Sequence, residues 1–281
     1  MRSARRTVRD SAPAPLSRQT LGRATGRRTW LQELYDTSFM RRLATMAAAM
    51  LGELMPASSP RLGRFVRPPT EQEKYLRSSL LSACEVAVAC NQLYYALAYL
   101  SGYRTRHTLQ DELITRADYI AYHLENLYLR LGMITDRSLK LTNTVFRLGV
   151  PPRECSFRVV ADNEHVRHTS VRARLNALNR AVEPYRDVRN SIAHHDRYSD
   201  PGLAEIETYF VLEKAKEPGP VVVRSRQFFK WEADRYVESK RSELLPVTRA
   251  LVEAIARLFD TLLPVFEQNH LCLGNGRPTG A

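Results

Sequence analysis

The segment Tyr185–Asp196 has the sequence YRDVRNSIAHHD and ends a stretch that is otherwise patterned as a buried helix. It places arginines, an asparagine, aspartates and two adjacent histidines within twelve residues. Charged groups are rarely buried without a partner, so this density of charge is unusual beside a core-forming pattern. We therefore expect the segment to carry the functional site, on a scaffold formed by the long apolar segments around it.

The apolar pattern predicts one helix from about Val171 to His195. Its inward face has apolar residues spaced by three, four and seven, at Val171, Leu175, Leu178, Val182, Tyr185 and Ile192. Arg189 occupies the inward position between the last two of these. Because arginine cannot lose its charge, an inward Arg189 needs a carboxylate, backbone carbonyls or an anionic ligand.

A second row of polar residues follows on a neighbouring face of the same helix. Arg186, Asn190 and His194 recur at intervals of four and are expected to line up. Arg189 and His194 are five residues apart, which is about 140° around an ideal helix. Both side chains reach one small substrate only if the last turn distorts or if a second subunit contributes.

The segment Arg189–His194, RNSIAH, resembles the R-x4-6-H signature of the HEPN superfamily (higher eukaryotes and prokaryotes nucleotide-binding). A polar residue often follows the arginine in that signature, and Asn190 fits this preference. In the family the motif lies near the end of a long helix in a small bundle, commonly a dimer whose two motifs share one cleft. Many members are metal-independent ribonucleases. The long helices predicted over about residues 70–270 match that context.

The resemblance implies a role for each motif residue. Arg189 would hold the scissile phosphate, His194 would transfer the proton of the attacking 2′-hydroxyl, and Asn190 would orient the phosphate or the histidine. His195 also fits the looser spacing, so both histidines are candidates. No metal or cofactor is expected, because RNA carries its own nucleophile and an imidazole titrates near neutral pH.

Glu125 is the predicted partner of Arg189. It lies on the edge of the apolar stripe of Thr108–Gly149, the longest periodic run in the chain and the predicted spine of the bundle. A buried Glu125–Arg189 pair without a catalytic role would fit the same pattern, since buried ion pairs are weak evidence of catalysis. Arg186 and Asp196 are expected to support the site.

The sequence predicts a mainly α-helical fold, an antiparallel bundle of long helices. Its predicted parts are a disordered basic arm at 1–29, an N-terminal helix and linker at 30–69, a HEPN-like helical domain at 70–270 and a disordered tail at 271–281. Thr70 and Glu73 form a capping-box pattern, which predicts the start of a helix that ends near Leu100. The final helix is predicted over about Phe228–Phe266, bent or broken near Pro246.

A small β-hairpin is predicted near residues 205–225, inserted in the helical domain. Ile206–Leu212 and Val221–Ser225 are rich in β-branched and aromatic residues. Glu217–Pro220, with the sequence EPGP, supplies turn residues between them.

The chain is basic, with a formal net charge of +12, which favours polyanionic partners such as RNA. Eight arginines against Asp10 give residues 1–29 a net charge of +7, which leaves +5 for the other 252 residues. The arm resembles a transit peptide in composition. A disordered basic arm and a true translation start at Met40 or Met46 are the alternatives.

Cysteine usage and hydropathy predict a soluble cytoplasmic protein without a membrane span. The four cysteines form no CxxC pair, which suits a reducing compartment. Polar residues interrupt every apolar run before it reaches the ~20 residues of a membrane helix. Cys155, His165 and His168 lie close in sequence but lack a fourth ligand and a recognised spacing, so no metal site is expected.

Three functions are consistent with these features. The first is a metal-independent endoribonuclease, which by resemblance would be a homodimer in a toxin–antitoxin or defence system, restrained by an antitoxin or regulatory protein. The second is a non-catalytic HEPN-like dimerisation or protein-interaction module, with Arg189, Asn190 and Glu125 as a structural network. The third is nucleic-acid binding through the arm at 1–29.

Overall fold

The computed structural model describes residues 30–55, 67–103, 114–194, 197–213 and 220–275. The predicted basic arm at 1–29 lies outside these residues, as do His195, Asp196 and residues 276–281 of the predicted tail. Within the described ranges the chain is helical and contains no β-strand.

Ten α-helices and one 3-10 turn make up the described part of the chain. They are α1 (Trp30–Tyr35), α2 (Ser38–Leu54), α3 (Glu71–Leu100), α4 (Arg116–Phe146), α5 (Phe157–Ala161), α6 (Glu164–Arg167), α7 (Ser170–Val182), the 3-10 turn (Glu183–Tyr185), α8 (Arg186–His194), α9 (Pro201–Glu213) and α10 (Pro220–Gly274).

Three long helices form the centre of the bundle. The Tyr75 hydroxyl near the start of α3 donates to the carbonyl of Val145 near the end of α4 at 2.7 Å, so α3 and α4 run antiparallel. The Asn269 side chain of α10 donates to the same carbonyl at 2.9 Å, while Arg116 at the start of α4 pairs with Asp234. Helix α10 therefore runs parallel to α4, and their buried residues join one continuous core.

Helix α3 begins where the capping-box pattern predicts. The Thr70 hydroxyl accepts a hydrogen bond from the Glu73 backbone N–H at 3.2 Å, and the Glu73 carboxylate accepts one from the Thr70 N–H at 2.7 Å. By length and composition alone α3 could cross a membrane, and the packed core helix of a soluble protein has the same composition. It packs against α2, α4 and α10.

The prediction of a β-hairpin at 205–225 is wrong. Its first half lies in α9 and the residues from Pro220 onward lie in α10. Leu203, Ile206 and Tyr209 are spaced by three and are all buried, which is a helical and not a strand spacing. The stacked rings of Tyr209 and Phe229, with centroids 4.0 Å apart, hold α9 against α10, so packing overrides the local β propensity.

The helix predicted over Val171–His195 is interrupted. Pro184 has no backbone N–H and its ring clashes with the preceding turn, so α7 ends at Val182 and a 3-10 turn precedes α8. The buried stripe also ends at Val182, and no residue of α8 is fully buried. The motif therefore lies on a short, separate helix at the surface of the bundle.

The last helix is longer than predicted. Helix α10 runs from Pro220 to Gly274 and includes Pro246 and Pro264 within its span. The first four residues of the predicted disordered tail, 271–274, are therefore helical.

Candidate active site

The guanidinium of Arg189 lies against the backbone of α4 at Gly132. A Cβ atom at position 132 would stand only 3.0 Å from Arg189 Nε, so glycine makes room for the guanidinium. Arg189 Nη1 donates to Asn190 Oδ1 at 3.1 Å, and Nη2 is 4.0 Å from Asp136 Oδ2. About a third of the Arg189 side chain, 36%, is exposed.

The bond to Asn190 links Arg189 to the row of polar residues that ends at His194. Arg189 starts on a different side of α8 from His194, but its long side chain reaches the Asn190 amide. Asn190 is followed four residues later by His194, on the same face of the helix. Arg189 and Asn190 line the same cavity, and His194 is not among the residues that line it.

His194 is the last residue of α8 and its side chain is exposed. The other candidate histidine, His195, lies outside the described residues.

A cavity of about 310 Å³ opens beside the guanidinium, between α4, α7 and α8. Arg186, Arg189 and Asn190 line it from α8, and Asn179 lines it from α7. Arg186 Nη2 is 2.6 Å from Glu183 Oε2 and 3.4 Å from Asn179 Oδ1. The structure thus brings three of the predicted site residues together around one cavity.

Glu125 does not pair with Arg189 within the chain. Its Oε1 accepts a hydrogen bond from the backbone N–H of Tyr198 at 2.8 Å. Glu125 lies seven residues before Gly132 on α4, which is about 10 Å along a helix. It therefore holds the segment that follows the motif helix, and the nearest carboxylate to Arg189 is that of Asp136.

A polar cluster around Asp200, which the sequence analysis missed, fixes the same segment to α10. Asp200 Oδ2 accepts hydrogen bonds from the hydroxyls of Tyr198 at 2.6 Å and Tyr236 at 2.8 Å, and lies 3.0 Å from Lys240 Nζ. Asp200 Oδ1 accepts from the Leu203 N–H at 2.9 Å and so caps α9. The only sequence signal was the Asp-Pro pair at the helix start.

Hydrogen bonding sets the charge state of this cluster. Burial acts to raise the pKa of Asp200, but the bonds from Tyr198, Leu203, Tyr236 and Lys240 outweigh it and lower that pKa to about 2. Asp200 is therefore ionised at neutral pH and keeps Lys240 as its counter-ion.

Among the residues that the structure describes, no three histidine, cysteine or acidic side chains are grouped closely enough to hold a metal ion.

Comparison with known families agrees with the resemblance to HEPN proteins and with the helical fold. Residues 85–217 match the family model described as HEPN_Cthe2314-like HEPN, and this segment includes most of α3 and all of α4 to α9. The chain thus contains a segment, residues 85–217, that is similar to a HEPN domain. Comparison with curated proteins and with solved structures found no significant match.

Replacing Gly132 by alanine should move the Arg189 side chain without lowering the stability of α4. Alanine favours a helix over glycine by about 1 kcal/mol, and the flexible Arg189 side chain can move to accept the new Cβ. We expect Gly132→Ala to preserve or raise the free energy of unfolding while shifting the Arg189 Nε–Hε resonance in NMR spectra. Gly52→Ala is the matched control, since a Cβ there meets nothing within 4 Å. An unchanged Arg189 resonance in Gly132→Ala would contradict the contact.

The Asp200 cluster predicts a pH-dependent stability. Because the pKa of Asp200 is about 2 in the folded protein and ordinarily 3.8, its contribution is complete above about pH 4 and is lost as the pH falls toward 2. Asp200→Asn should lower the free energy of unfolding by about 1–2 kcal/mol at pH 7. Urea unfolding should show this difference shrinking between about pH 4 and pH 2.

The matched control for Asp200→Asn is Asp162→Asn. Asp162 forms an exposed ion pair with Arg172, so its loss should cost less than about 1 kcal/mol. A difference between wild type and Asp200→Asn that stays constant with pH would rule out this origin for the stabilisation.

Proposed function

We propose that this chain is a metal-independent endoribonuclease that cleaves RNA through the substrate's own 2′-hydroxyl. The observation that carries the proposal is the incomplete pairing of the Arg189 guanidinium. Within the described part of the chain its one ion-pair contact is Asp136 at 4.0 Å, and the guanidinium stands at the edge of an open cavity. An arginine with a structural role normally makes a short bidentate contact with a carboxylate. Arg189 instead keeps N–H donors directed at space that a phosphate can occupy.

The chemistry follows from the two motif residues. The imidazole of His194 takes the proton of the 2′-hydroxyl while the 2′-oxygen attacks the adjacent phosphorus. The bond from phosphorus to the 5′-oxygen then breaks, and that oxygen takes up a proton. Arg189 neutralises the charge that develops on the pentacoordinate phosphate. The products are a 2′,3′-cyclic phosphate, or the 3′-phosphate that it hydrolyses to, and a 5′-hydroxyl.

Asn190 acts in this scheme by positioning the arginine. Its Oδ1 holds Arg189 Nη1 at 3.1 Å, and it lies between Arg189 and His194 on α8. Arg186, at the other end of the same row, also lines the cavity, with its charge paired to Glu183 at 2.6 Å. The basic balance of the chain, +12, favours the approach of a polyanion to both arginines.

In-line attack favours a second copy of the chain at the site. The attacking 2′-oxygen and the leaving 5′-oxygen lie on opposite sides of the phosphorus, so one imidazole serves one side at a time. A second subunit, or His195, would supply the other proton. On α4, Tyr122, Leu129 and Met133 continue at helical spacing beside Asp136 and are all partly or well exposed. This apolar row next to Arg189 suits a contact with a second copy.

The family context supports a biological setting as well. We propose that the nuclease acts in the cytoplasm, in a toxin–antitoxin or defence system. An antitoxin or other regulatory protein would restrain its activity.

The first test is incubation of the purified protein with end-labelled RNA in EDTA. Wild type should leave a cyclic or 3′-phosphate and a 5′-hydroxyl. Arg189→Ala should lose ~10²–10³-fold in rate and His194→Ala ~10²–10⁴-fold. Arg172→Ala, which removes an exposed arginine outside the cavity, should cleave like wild type.

His195→Ala then distinguishes the two histidines, because only removal of the acting imidazole should abolish cleavage. Intact RNA across varied sequences, with Arg189→Ala changing only the melting temperature, would favour the non-catalytic module. Each variant is first checked for native folding by circular dichroism.

A separate experiment tests whether two copies of the chain share one site. Light scattering at micromolar concentration should give twice the mass of one chain, and Met133→Glu should give monomers by placing a charge in the apolar row. If each site combines Arg189 of one copy with His194 of the other, mixing Arg189→Ala with His194→Ala should restore part of the cleavage. A monomeric, fully active wild type would exclude the shared site.

A further inference from the structure

A second cavity lies on the other side of the motif helix α8. Its volume of about 740 Å³ is within the usual range for small-ligand sites. Val188, Ser191 and Ile192 line it from α8, and none of the three lines the cavity beside Arg189. Its other walls come from α4, from residues 197–200 and from α10. The two motif residues proposed to act on RNA are therefore outside this cavity.

The wall that α8 contributes is incompletely packed. Val188 and Ile192 are four residues apart, so they lie on one face of α8, and each is only partly buried. Because a helix of nine residues is unstable in isolation, α8 depends on the packing of this face. A group that fills the cavity would bury Val188 and Ile192 further and would stabilise α8.

The wall formed by residues 197–200 is firmly held. Tyr198 is 6% exposed, and its backbone N–H donates to Glu125 Oε1 at 2.8 Å. Its hydroxyl donates to Asp200 Oδ2 at 2.6 Å, and its ring centroid lies 5.1 Å from that of Tyr128. One wall of the cavity is thus fixed by the core, whereas the α8 wall is not. A bound molecule would therefore act mainly on α8.

The charged groups that line the cavity are already paired within the chain. Arg197 Nη2 is 2.5 Å from Glu207 Oε2. Lys240 Nζ is 3.0 Å from Asp200 Oδ2 and 3.5 Å from Glu243 Oε2. A charged ligand would have to break one of these pairs or lose water without gaining a partner, and both are costly. The cavity therefore favours an uncharged occupant.

The remaining lining groups are aromatic rings and hydroxyls. The ring centroids of Tyr128 and Tyr185 are 5.9 Å apart, and both residues line the cavity. Aromatic side chains bind other rings by stacked or edge-to-face contacts. Ser191 and Ser199 are exposed, and each hydroxyl can donate and accept a hydrogen bond. These walls suit an uncharged aromatic ring with a hydrogen-bonding group at its edge.

We propose that this cavity is a regulatory site for a small, uncharged aromatic molecule, which stabilises α8 when it binds. The regulatory role rests on the proposed function, because α8 carries Arg189 and His194. Binding of the molecule and stabilisation of α8 do not require RNA cleavage.

NMR titration with indole tests the site, because indole is an uncharged aromatic molecule with one N–H at its edge. The methyl resonances of Val188 and Ile192 should shift, with a Kd of about 1 mM or lower. Tryptamine and indole-3-acetate carry the same rings with a positive and a negative charge. Both should bind at least about fivefold more weakly than indole. Tighter binding of either charged compound would overturn the proposal.

Hydrogen exchange tests the effect on α8. Indole at about ten times its Kd should slow the exchange of α8 amides about tenfold, because the opening of α8 destroys the site and a ligand suppresses it by mass action. Amides of α2, which does not line the cavity, are the internal control. Unchanged exchange in α8 with indole bound would also overturn the proposal.

Ser191→Phe and Ser199→Phe locate the binding site. Each substitution places a ring in the cavity, one from α8 and one from the fixed wall, and each should abolish the binding of indole. Ser78→Phe is the matched control, since Ser78 is exposed on α3 and does not line the cavity. Indole binding that is unchanged in both cavity variants would show that indole binds elsewhere, which would reject the site.

The outcomes separate the regulatory site from the nuclease. Indole binding with slower exchange of α8, in a protein that cleaves no RNA, would support the site and reject the nuclease. RNA cleavage at a rate that saturating indole does not change would reject the regulatory role and leave the nuclease intact.

Discussion

The contact between the Arg189 guanidinium and the backbone at Gly132 determines how this site is built. A Cβ atom at position 132 would stand 3.0 Å from Arg189 Nε, so the guanidinium would have to shift to accept it. With glycine there, a planar cation lies flat on α4 at the surface of the bundle and keeps part of its area in water. The desolvation that would make a buried arginine costly is thereby avoided, and the charge is available to a ligand.

The break at Pro184 makes this arrangement compatible with a well-packed core. Helix α7 buries Leu175 and Leu178 in the core, whereas α8 buries no residue completely. Had the helix continued straight, the stripe through Val182 would have carried Arg189 inward. The short helix is held at its far end instead, where Glu125 binds the Tyr198 N–H and Asp200 links to α10. The fully buried core residues thus lie on α7, whereas the candidate catalytic residues lie on α8.

The sequence predicted the elements that depend on local patterns and missed those that depend on distant partners. Helical periodicity and the capping box at Thr70 located α3, and the resemblance to HEPN proteins agrees with the family model over residues 85–217. The roles of Arg189 and His194 stay predictions. The hairpin prediction failed because β propensity near Ile206 is overridden by packing on α10, which no local pattern reports. The assignment of Glu125 failed because it required the relative position of two helices. Pro184, in contrast, was a readable signal for a helix break, and the continuous apolar spacing across it was misleading.

Two polar networks in this chain show the difference between a structural and a ligand-binding arrangement. Asp200 is fully paired, since both carboxylate oxygens accept hydrogen bonds from the protein and a lysine neutralises the charge. The Arg189 network is open, because its one ion-pair contact within the described residues is 4.0 Å long and the guanidinium lies beside a cavity. Similarity to a superfamily does not establish activity. The incomplete pairing of Arg189 beside a cavity is a physical reason for this chain itself to bind an anionic ligand there, because such a ligand would supply acceptors for the guanidinium.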